Sequence, residues 1–453
     1  MSANQRITLI TLIVCLMTAL LPSAAFNVAV PIVQREWGIG YGAAGVIIAA
    51  YQVGYVVGAG ILLSRERPDP RGVILVGSLL AAAGGMGLSL ANSPATATAL
   101  RALAGAGVGA IYMPGVRLLA AHFPPGRRGM PTGFYVSAFS TGSAASMGLS
   151  GLLLAGRSWQ SVHLVVGSLA LIGALALGLA WRRVAPPMLG AGAAAPSANQ
   201  PPAFTPTSTH AATAPADARR PGAFATTHAP SVGPARGGRQ WWLPVALITL
   251  SYTIHAWELY AIRSWLPVYL AEHFATFSWA SERAAAAGAT WSAWATLLGA
   301  AATAAGGVAA DRFGAFPTAA FLLVASGVTT AAMGWLHGAT GLAGLLLYAV
   351  LLVSNLTLNG DSPIYSAALT EWSPPAYLGR VMAVFTVVGY SAAGIASAAV
   401  GWGLDRWGWG PTLTLTALPN VLALAAVATL QRWSDQSAAQ RRSPPAGATA
   451  AGS

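Results

Sequence analysis

The sequence predicts an all-α integral membrane protein with twelve transmembrane helices in two six-helix bundles. Three observations support this fold class: a highly apolar composition, apolar segments of bilayer-spanning length, and an internal repeat. Only 8% of the 453 residues are charged and 55% are hydrophobic, whereas about a quarter of the residues of a soluble domain are charged. Lipid is therefore the expected solvent for most of the chain.

Apolar segments long enough to cross a bilayer, which takes about twenty residues, recur along the chain. They cover residues 7–33, 41–63, 72–92, 96–122, 130–154, 160–181, 242–270, 286–310, 316–336, 341–370, 380–402 and 411–431. The first begins like a signal peptide, with Arg6 before an apolar run and the small residues 23–25 after it. It continues to Val33, which is too long for a signal sequence, so we expect a retained helix.

The spans divide into two domains separated by a polar segment. Residues 1–184 form the predicted N-terminal bundle and residues 241–433 the predicted C-terminal bundle. Residues 185–240 are rich in Ala, Pro, Thr and Gly and have no apolar periodicity, so they are predicted to be a disordered cytoplasmic linker. The tail, residues 434–453, has a similar composition and is also predicted to be disordered.

The distribution of arginines predicts the orientation of the chain. The segments on the side of the termini carry seventeen arginines, or eleven when the six in or beside the linker are left out. The opposite side carries four, which are Arg35, Arg157, Arg283 and Arg406. Because positive loops stay in the cytoplasm, both termini are predicted to be cytoplasmic, in a bacterial inner membrane.

Composition also argues against several functions. The net charge of +12 comes from arginines between apolar segments and not from a clustered basic face, so no nucleic-acid partner is expected. The single cysteine, Cys15, lies inside the first apolar segment and cannot form an internal disulfide. No zinc-protease, phosphate-loop or nucleophile-elbow motif is present. We therefore expect no enzymatic activity, no metal site and no cofactor.

An offset of about 250 residues relates the two halves of the chain. Gly151, Leu154 and Trp159 recur as Gly401, Leu404 and Trp409, and the Pro-Pro pair at 124–125 with Gly129 recurs at 374–375 with Gly379. Pro114 also lies near the counterpart of Pro363. Two parallel six-helix repeats joined by a long linker are an arrangement found in secondary transporters.

Two motifs make the sequence resemble the major facilitator superfamily, in its bacterial permease type. The segment Gly307-x-x-x-Asp311-Arg312-x-Gly314 resembles the cytoplasmic gating-loop motif of that family. In its first-half counterpart, which runs from Gly60 to Arg65, Ser64 stands where the acidic residue usually is. In helix four, the segment Arg101-x-x-x-Gly105-x-Gly107-x-Gly109 resembles a second family motif.

The resemblance implies a fold and a mechanism. Helices one, four, seven and ten would line a central cavity, and the two bundles would alternate access to its two sides. The Gly-Pro motif of drug/proton exchangers should lie in helix five, but the segment from Thr141 to Gly148 has no proline. This absence lowers the expectation of drug export without excluding it.

Charged residues inside the predicted spans are the candidate site residues, because each costs at least about 2.5–3.5 kcal/mol to insert into a membrane. The set, assigned to substrate binding or coupling, is Glu258, Arg263, Asp361, Arg101, His255 and Arg117. Arg101 is expected to serve coupling or gating. Arg117 either faces the cavity or extends to the cytoplasmic surface. Weaker polar candidates are Asn27, Tyr51, Gln52, Tyr55, Tyr112, Tyr135, Ser140, Asn355, Asn359 and Tyr390.

Helix seven contains the most informative group. At about 100° per residue, Ser251, Tyr252, His255, Glu258 and Arg263 fall within an arc of roughly 140°, which predicts one wide polar face toward the cavity. A buried carboxyl such as Glu258 suits a group that gains and loses a proton, and Arg263 offers a planar fork to an oxyanion. The structural alternative is a buried ion pair, for instance between Arg263 and Asp361, with His255 as a hydrogen-bonding neighbour.

These observations predict proton-coupled transport of a small solute, with alternating access between the two halves. The excess of intramembrane arginines over carboxylates favours an organic or inorganic anion. The first alternative is proton-driven export of hydrophobic compounds, and the second is a receptor of the same fold that does not transport. The expected partners are the solute, protons and the lipid bilayer, and the expected oligomeric state is a monomer.

Overall fold

A computed structural model describes residues 1–63, 70–123, 129–181, 241–374 and 376–442. Within these ranges every regular element is a helix, and no strand occurs. The predicted all-α fold class is therefore confirmed.

The first half contains six spans, of which the first is built from two helices. Its helices are α1 (Ala3–Leu20), α2 (Ala25–Trp37), α3 (Tyr41–Leu63), α4 (Arg71–Gly87), α5 (Pro94–His122), α6 (Gly129–Leu154) and α7 (Trp159–Trp181). A single 3₁₀ turn, Leu88–Leu90, extends α4.

The second half also contains six spans, of which two are built from two helices each. Its helices are α8 (Trp242–Ala275), α9 (Ser281–Phe313), α10 (Ala315–Trp335), α11 (Gly341–Gly360), α12 (Ser362–Trp372), α13 (Leu378–Trp407), α14 (Trp409–Ala417) and α15 (Asn420–Arg442). The predicted linker at 185–240 and the loop residues Ser64 and Arg65 lie outside the described residues.

Eleven helical segments of the described chain are both long and apolar enough to cross a membrane. The remaining span is α6, whose 26 residues exceed the length that a bilayer requires. Its apolarity is diluted by five glycines and five serines, which are typical of transmembrane helices that pack closely against others. With α6 included, the described residues form the twelve predicted spans.

The helix α15 continues to Arg442, which is beyond residue 433, the predicted end of the C-terminal bundle. No proline interrupts this segment before Pro444, and no glycine occurs before Gly447. Gln431 Nε2 also donates to Asp435 Oδ1 at 2.8 Å, one helical turn further on. The first part of the predicted tail is therefore helical.

Trp159 and Trp409, which the internal repeat relates to each other, occupy equivalent positions in the two halves. Trp159 is the first residue of α7, and its Nε1 donates to Glu36 Oε2 at 2.6 Å. Trp409 is the first residue of α14, and its Nε1 donates to Glu272 Oε2 at 2.8 Å. In each half an indole therefore joins the last span to the end of the first span.

Glycines bring α3 and α5 close together at the level of the central cavity. A methyl group at Gly54 would overlap the backbone carbonyl of Ala102, and one at Gly105 would overlap the carbonyl of Tyr51. Small residues of this kind allow helix backbones to touch. This packing positions Tyr51 on α3 against Arg101 on α5, where the ring centroid lies 4.8 Å from Cζ.

The two halves contact each other along α3 with α13 and along α6 with α9. Asp405 on α13 accepts from the backbone N–H groups of Tyr41 and Gly42, at 2.8 and 2.7 Å, in the first turn of α3. Arg35 and Glu282 also approach across the halves, to 3.6 Å. The halves are therefore joined at the end of the bundle where α3 begins and α13 ends.

Candidate functional site

A central cavity lies between the two halves. Its lining is contributed by the turn between α1 and α2 and by α2, α3, α5 and α6 of the first half, and by α8 and α13 of the second. The lining residues are Leu20, Ser23, Ala24, Asn27, Tyr51, Gln52, Tyr55, Arg101, Phe139, Ser143, Met147, Tyr260, Arg263, Ser264 and Tyr390. The lining contains two arginines and no carboxylate, so the cavity is basic, with aromatic walls.

Arg263 presents its guanidinium to this cavity. The side chain is partly exposed, and its Nη2 donates to the side-chain Oδ1 of Asn359 at 2.8 Å. The ring of Tyr260 lies 5.8 Å from Cζ. Among the described residues the guanidinium makes no other hydrogen bond and no ion pair, so most of its five donors are available to a solute.

Arg101 has a different environment, although it also lines the cavity. It is 1% exposed, and it donates from Nη1 to the backbone oxygen of Ser23 at 2.5 Å and from Nη2 to Asn27 Oδ1 at 3.1 Å. Ser23 lies in the turn between α1 and α2, where the helical hydrogen bonds are interrupted. Arg101 therefore satisfies the interrupted backbone of the first span.

The tenth span is also interrupted, at Asp361, between α11 and α12. Pro363, which has no backbone N–H, lies in the first turn of α12. His255 on α8 contacts both sides of this break: its Nδ1 lies 2.9 Å from Asp361 Oδ1, and its Nε2 lies 2.8 Å from Ser362 Oγ. His255 and Asp361 are each 2% exposed.

Glu258 lies inside the second half, between α8, α10 and α15. Its Oε2 accepts from Ser326 Oγ at 2.9 Å and from Asn420 Nδ2 at 2.7 Å. The residue is 1% exposed, and its Oε1 is buried without a hydrogen-bond partner. No arginine or histidine of the described chain forms an ion pair with it.

The prediction of one cavity-facing polar surface on helix seven is wrong, because Arg263 alone of its five residues is among those that line the cavity. At about 100° per residue, Glu258 lies roughly 120–160° around α8 from the cavity-lining residues Tyr260, Arg263 and Ser264. The suggested pair of Arg263 with Asp361 is also absent from the structure, because Arg263 bonds Asn359 and Asp361 contacts His255. Sequence periodicity groups polar residues on an arc, but it does not show which neighbouring helix covers each part of that arc.

Arg117 is exposed on α5 and does not line the central cavity.

The gating-loop motif forms the end of α9 and the turn into α10. Gly314 has φ +95°, a conformation that strains other residues and so explains the glycine. Asp311 and Arg312 are exposed, and neither forms an ion pair within the described residues. Gly307 has open space where a side chain would lie.

Five of the ten weaker polar candidates line the cavity, namely Asn27, Tyr51, Gln52, Tyr55 and Tyr390. Asn359 lies just behind the lining and contacts it through Arg263. Sequence reasoning missed Ser264, whose backbone oxygen accepts from Asn27 Nδ2 at 3.0 Å across the two halves. It also missed Asp405 and Glu272, which lie just beyond the predicted spans 380–402 and 242–270.

Comparison with known proteins supports the fold and the class. A family model described as Major Facilitator Superfamily matches residues 12–359. The multidrug resistance protein Stp of Mycobacterium tuberculosis (strain H37Rv) is 29% identical over 178 residues, which is 38% of this chain and 33% of that protein. The 4-hydroxybenzoate transporter PcaK of Pseudomonas putida is 31% identical over 162 residues, 35% of each chain. The matches thus span about a third of the length of these relatives.

A solved structure shares the architecture over almost the whole chain. A bacterial homologue of the human lysosomal transporter Spinster, in an inward-facing and unoccupied conformation, superimposes with a TM-score of 0.67. The alignment covers 98% of this chain and 100% of that structure, at 13% sequence identity. This similarity concerns the fold alone.

Proposed function

Because the chain belongs to the major facilitator superfamily, we propose that it is a secondary active transporter that carries a small organic anion by alternating access and proton coupling. The single observation that supports this proposal best is the charge of the central cavity. Its lining includes Arg263, whose guanidinium is largely unused, and contains no acidic side chain. A cation would meet two guanidinium groups and no carboxylate among these lining residues, whereas a carboxylate would find a bidentate donor.

Aromatic walls suggest that the anion has an apolar, flat body. Tyr51, Tyr55, Tyr260, Tyr390 and Phe139 line the cavity beside the arginines. Aromatic side chains stack favourably on other rings at centroid distances of about 4.5–7 Å, so an anion with a ring would find stacking partners here. The function in the name of the Pseudomonas putida relative, transport of 4-hydroxybenzoate, agrees with this chemistry.

The proposal divides the candidate residues by role. Arg263 binds the anion, and Arg101 holds the turn of the first span in the cavity wall. Three buried titratable groups of the second half, His255, Glu258 and Asp361, are the candidates for the coupling proton. Intramembrane titratable groups of this kind serve as proton relays in transporters.

Binding of a panel of compounds to the purified protein tests the substrate class. We expect 4-hydroxybenzoate and benzoate to raise the melting temperature in a saturable manner, and phosphate, the uncharged amide benzamide and a lipophilic cation to have no effect. Benzamide is the matched control, because it keeps the ring and removes the charge. Stabilisation by the cation, without stabilisation by either carboxylate, would contradict the proposal.

Export of hydrophobic compounds is the second candidate function. The relative in Mycobacterium tuberculosis named as a multidrug resistance protein supports it, as does the apolar share of the cavity wall. The absence of a carboxylate from the lining argues against a cationic drug. A receptor that does not transport has no specific observation in its favour.

The proposed orientation places both termini and residues 185–240 in the cytoplasm of a bacterial inner membrane, on the evidence of the arginine distribution. Single cysteines at Ser197 and Ser281, in a background with Cys15 replaced by serine, test it. An impermeant thiol reagent added to intact cells should label the Ser281 variant, which lies at the start of α9. Labelling of the Ser197 variant alone would reverse the topology.

A further inference from the structure

The tenth span is anchored to α8 at two points that flank its break. On one side of Gly360, Asn359 Oδ1 accepts from Arg263 Nη2 at 2.8 Å. On the other side, Asp361 Oδ1 lies 2.9 Å from His255 Nδ1. The first anchor contains Arg263, which faces the cavity. The second contains His255 and Asp361, a pair whose net charge depends on whether a proton is bound.

Asn359 and Asp361, the residues of the tenth span in these two anchors, are both buried. Asn359 is 6% exposed, and its Nδ2 donates to the backbone oxygen of Asn355 at 2.8 Å. Arg263 is therefore its only side-chain partner within the described residues. A methyl group at Gly299 would overlap the Asn359 amide, and one at Gly306 would overlap the carbonyl of Gly360. These contacts with α9 fix the position of the break.

We propose that His255 and Asp361 form the proton-binding site of this carrier, and that Asn359 transmits the state of that site to the anion at Arg263. This inference rests on the proposed function, and it assigns the coupling proton to one of its three candidates. A carboxylate binds a guanidinium more strongly than a neutral amide oxygen does. An anion that binds through Nη2 therefore competes with Asn359 for that nitrogen and weakens the first anchor of the break.

The second anchor can hold a proton because it places an imidazole beside a carboxyl group, with Nδ1 and Oδ1 2.9 Å apart. A protonated His255 carries an N–H group on both ring nitrogens, of which Nδ1 lies 2.9 Å from Asp361 Oδ1 and Nε2 lies 2.8 Å from Ser362 Oγ, whereas neutral imidazole has one N–H group. The other titratable groups that face it among the described residues are Tyr365, with ring centroids 5.8 Å apart, and Tyr252, at 6.0 Å. Glu258 lies one turn further along the same helix.

The two anchors are separate along α8, but both contact the same segment, the break between α11 and α12. Arg263 and His255 are eight residues apart, or about 12 Å along α8, so the anion and the proton do not compete for the same atoms. The break between α11 and α12 contacts both. When the anion weakens the contact of Asn359 with Arg263, a protonated His255 keeps the tenth span attached to α8, and anion and proton therefore favour each other's binding.

Calorimetry of anion binding at several pH values tests the inference, with 4-hydroxybenzoate as the probe and the full-length protein in detergent. The wild type should bind the probe about threefold or more tightly at pH 6 than at pH 8, since one linked proton allows up to about tenfold per pH unit. H255Q, which keeps hydrogen bonding but does not titrate in this range, should bind the probe with no pH dependence. D361N provides the same test should H255Q fail to fold.

Asn359 is a positioning residue. The N359L variant tests whether Asn359 links the proton site to the anion, separately from anion binding itself. N359L should bind the probe with wild-type or higher affinity, because a competing acceptor is removed, and should lose the pH dependence although His255 is intact. The controls are T253V and T357V, whose hydroxyl groups bond only carbonyls of their own helices. Both should keep the wild-type pH dependence.

The outcomes distinguish the inference from the function on which it rests. If the wild type binds neither 4-hydroxybenzoate nor benzoate, the proposed function is wrong. If the wild type binds with a pH dependence that H255Q and D361N retain, the proton site is elsewhere and the inference alone is overturned. If H255Q loses the pH dependence and N359L keeps it, the link through Asn359 is wrong.

Discussion

Replacement of Arg263 by lysine is expected to weaken binding of the transported anion by roughly 10- to 100-fold, with little change in the stability of the protein. A hydrogen bond to a charged group contributes about 1.5–3 kcal/mol, and lysine cannot reproduce the planar fork of a guanidinium. The stability should change little, because within the described residues Arg263 bonds only the neutral side chain of Asn359.

Arg101→Lys is the matched control, because it makes the same substitution in the same cavity wall. Arg101 is fully buried, and its two hydrogen bonds reach the carbonyl of Ser23 and the side chain of Asn27. We expect this variant to melt at a clearly lower temperature. Melting temperature and probe affinity are measured on both variants. A comparable loss of stability in both would assign Arg263 to the architecture and not to the binding site.

Replacement of Glu258 by a side chain without polar atoms is expected to have the second large effect, on stability. Glu258→Leu removes the acceptor that Asn420 and Ser326 share, so one N–H of the Asn420 amide loses its partner, while the Ser326 hydroxyl keeps a 3.2 Å bond to the carbonyl of Leu323. Each buried unsatisfied group costs about 1–3 kcal/mol. Glu258→Gln keeps a carbonyl oxygen at the same position, so its melting temperature should stay close to that of the wild type.

Transport by Glu258→Gln then shows whether this residue carries the coupling proton, as the sequence suggested. Glu258 faces away from the cavity, and the contacts at the break favour His255 and Asp361, so we expect the variant to retain uptake driven by a pH gradient. The measurement compares driven uptake with counterflow exchange in proteoliposomes. Loss of driven uptake with intact counterflow would return the coupling role to Glu258.

Sequence reasoning predicted the fold well because the bilayer imposes a strong and local constraint. Each span has to satisfy its own backbone and bury its own apolar surface, so length and apolarity are sufficient to locate it. The same dependence on apolarity explains why the sequence did not indicate the helical residues beyond 433. A polar helix such as the end of α15 carries no apolar signal once it leaves the membrane.

The site could be predicted only in part, since residue type shows which side chains are unusual in a membrane but not where they point. Arg263 and Arg101 give the same signal in the sequence, yet one presents free donors and the other satisfies a broken helix. The break at Asp361 had a visible cue in Pro363 and the preceding Gly360. Its two contacts with α8 depend on how the tenth span packs, which no local pattern encodes.

Uptake of radiolabelled 4-hydroxybenzoate into proteoliposomes under an imposed pH gradient tests whether the protein drives transport of an organic anion with protons. With the external side acidic, we expect accumulation above the equilibrium concentration. Accumulation should collapse when a protonophore is added, and should be much reduced with Arg263→Lys. Equal uptake with and without the gradient, or uptake that Arg263→Lys leaves unchanged, would contradict this proposal.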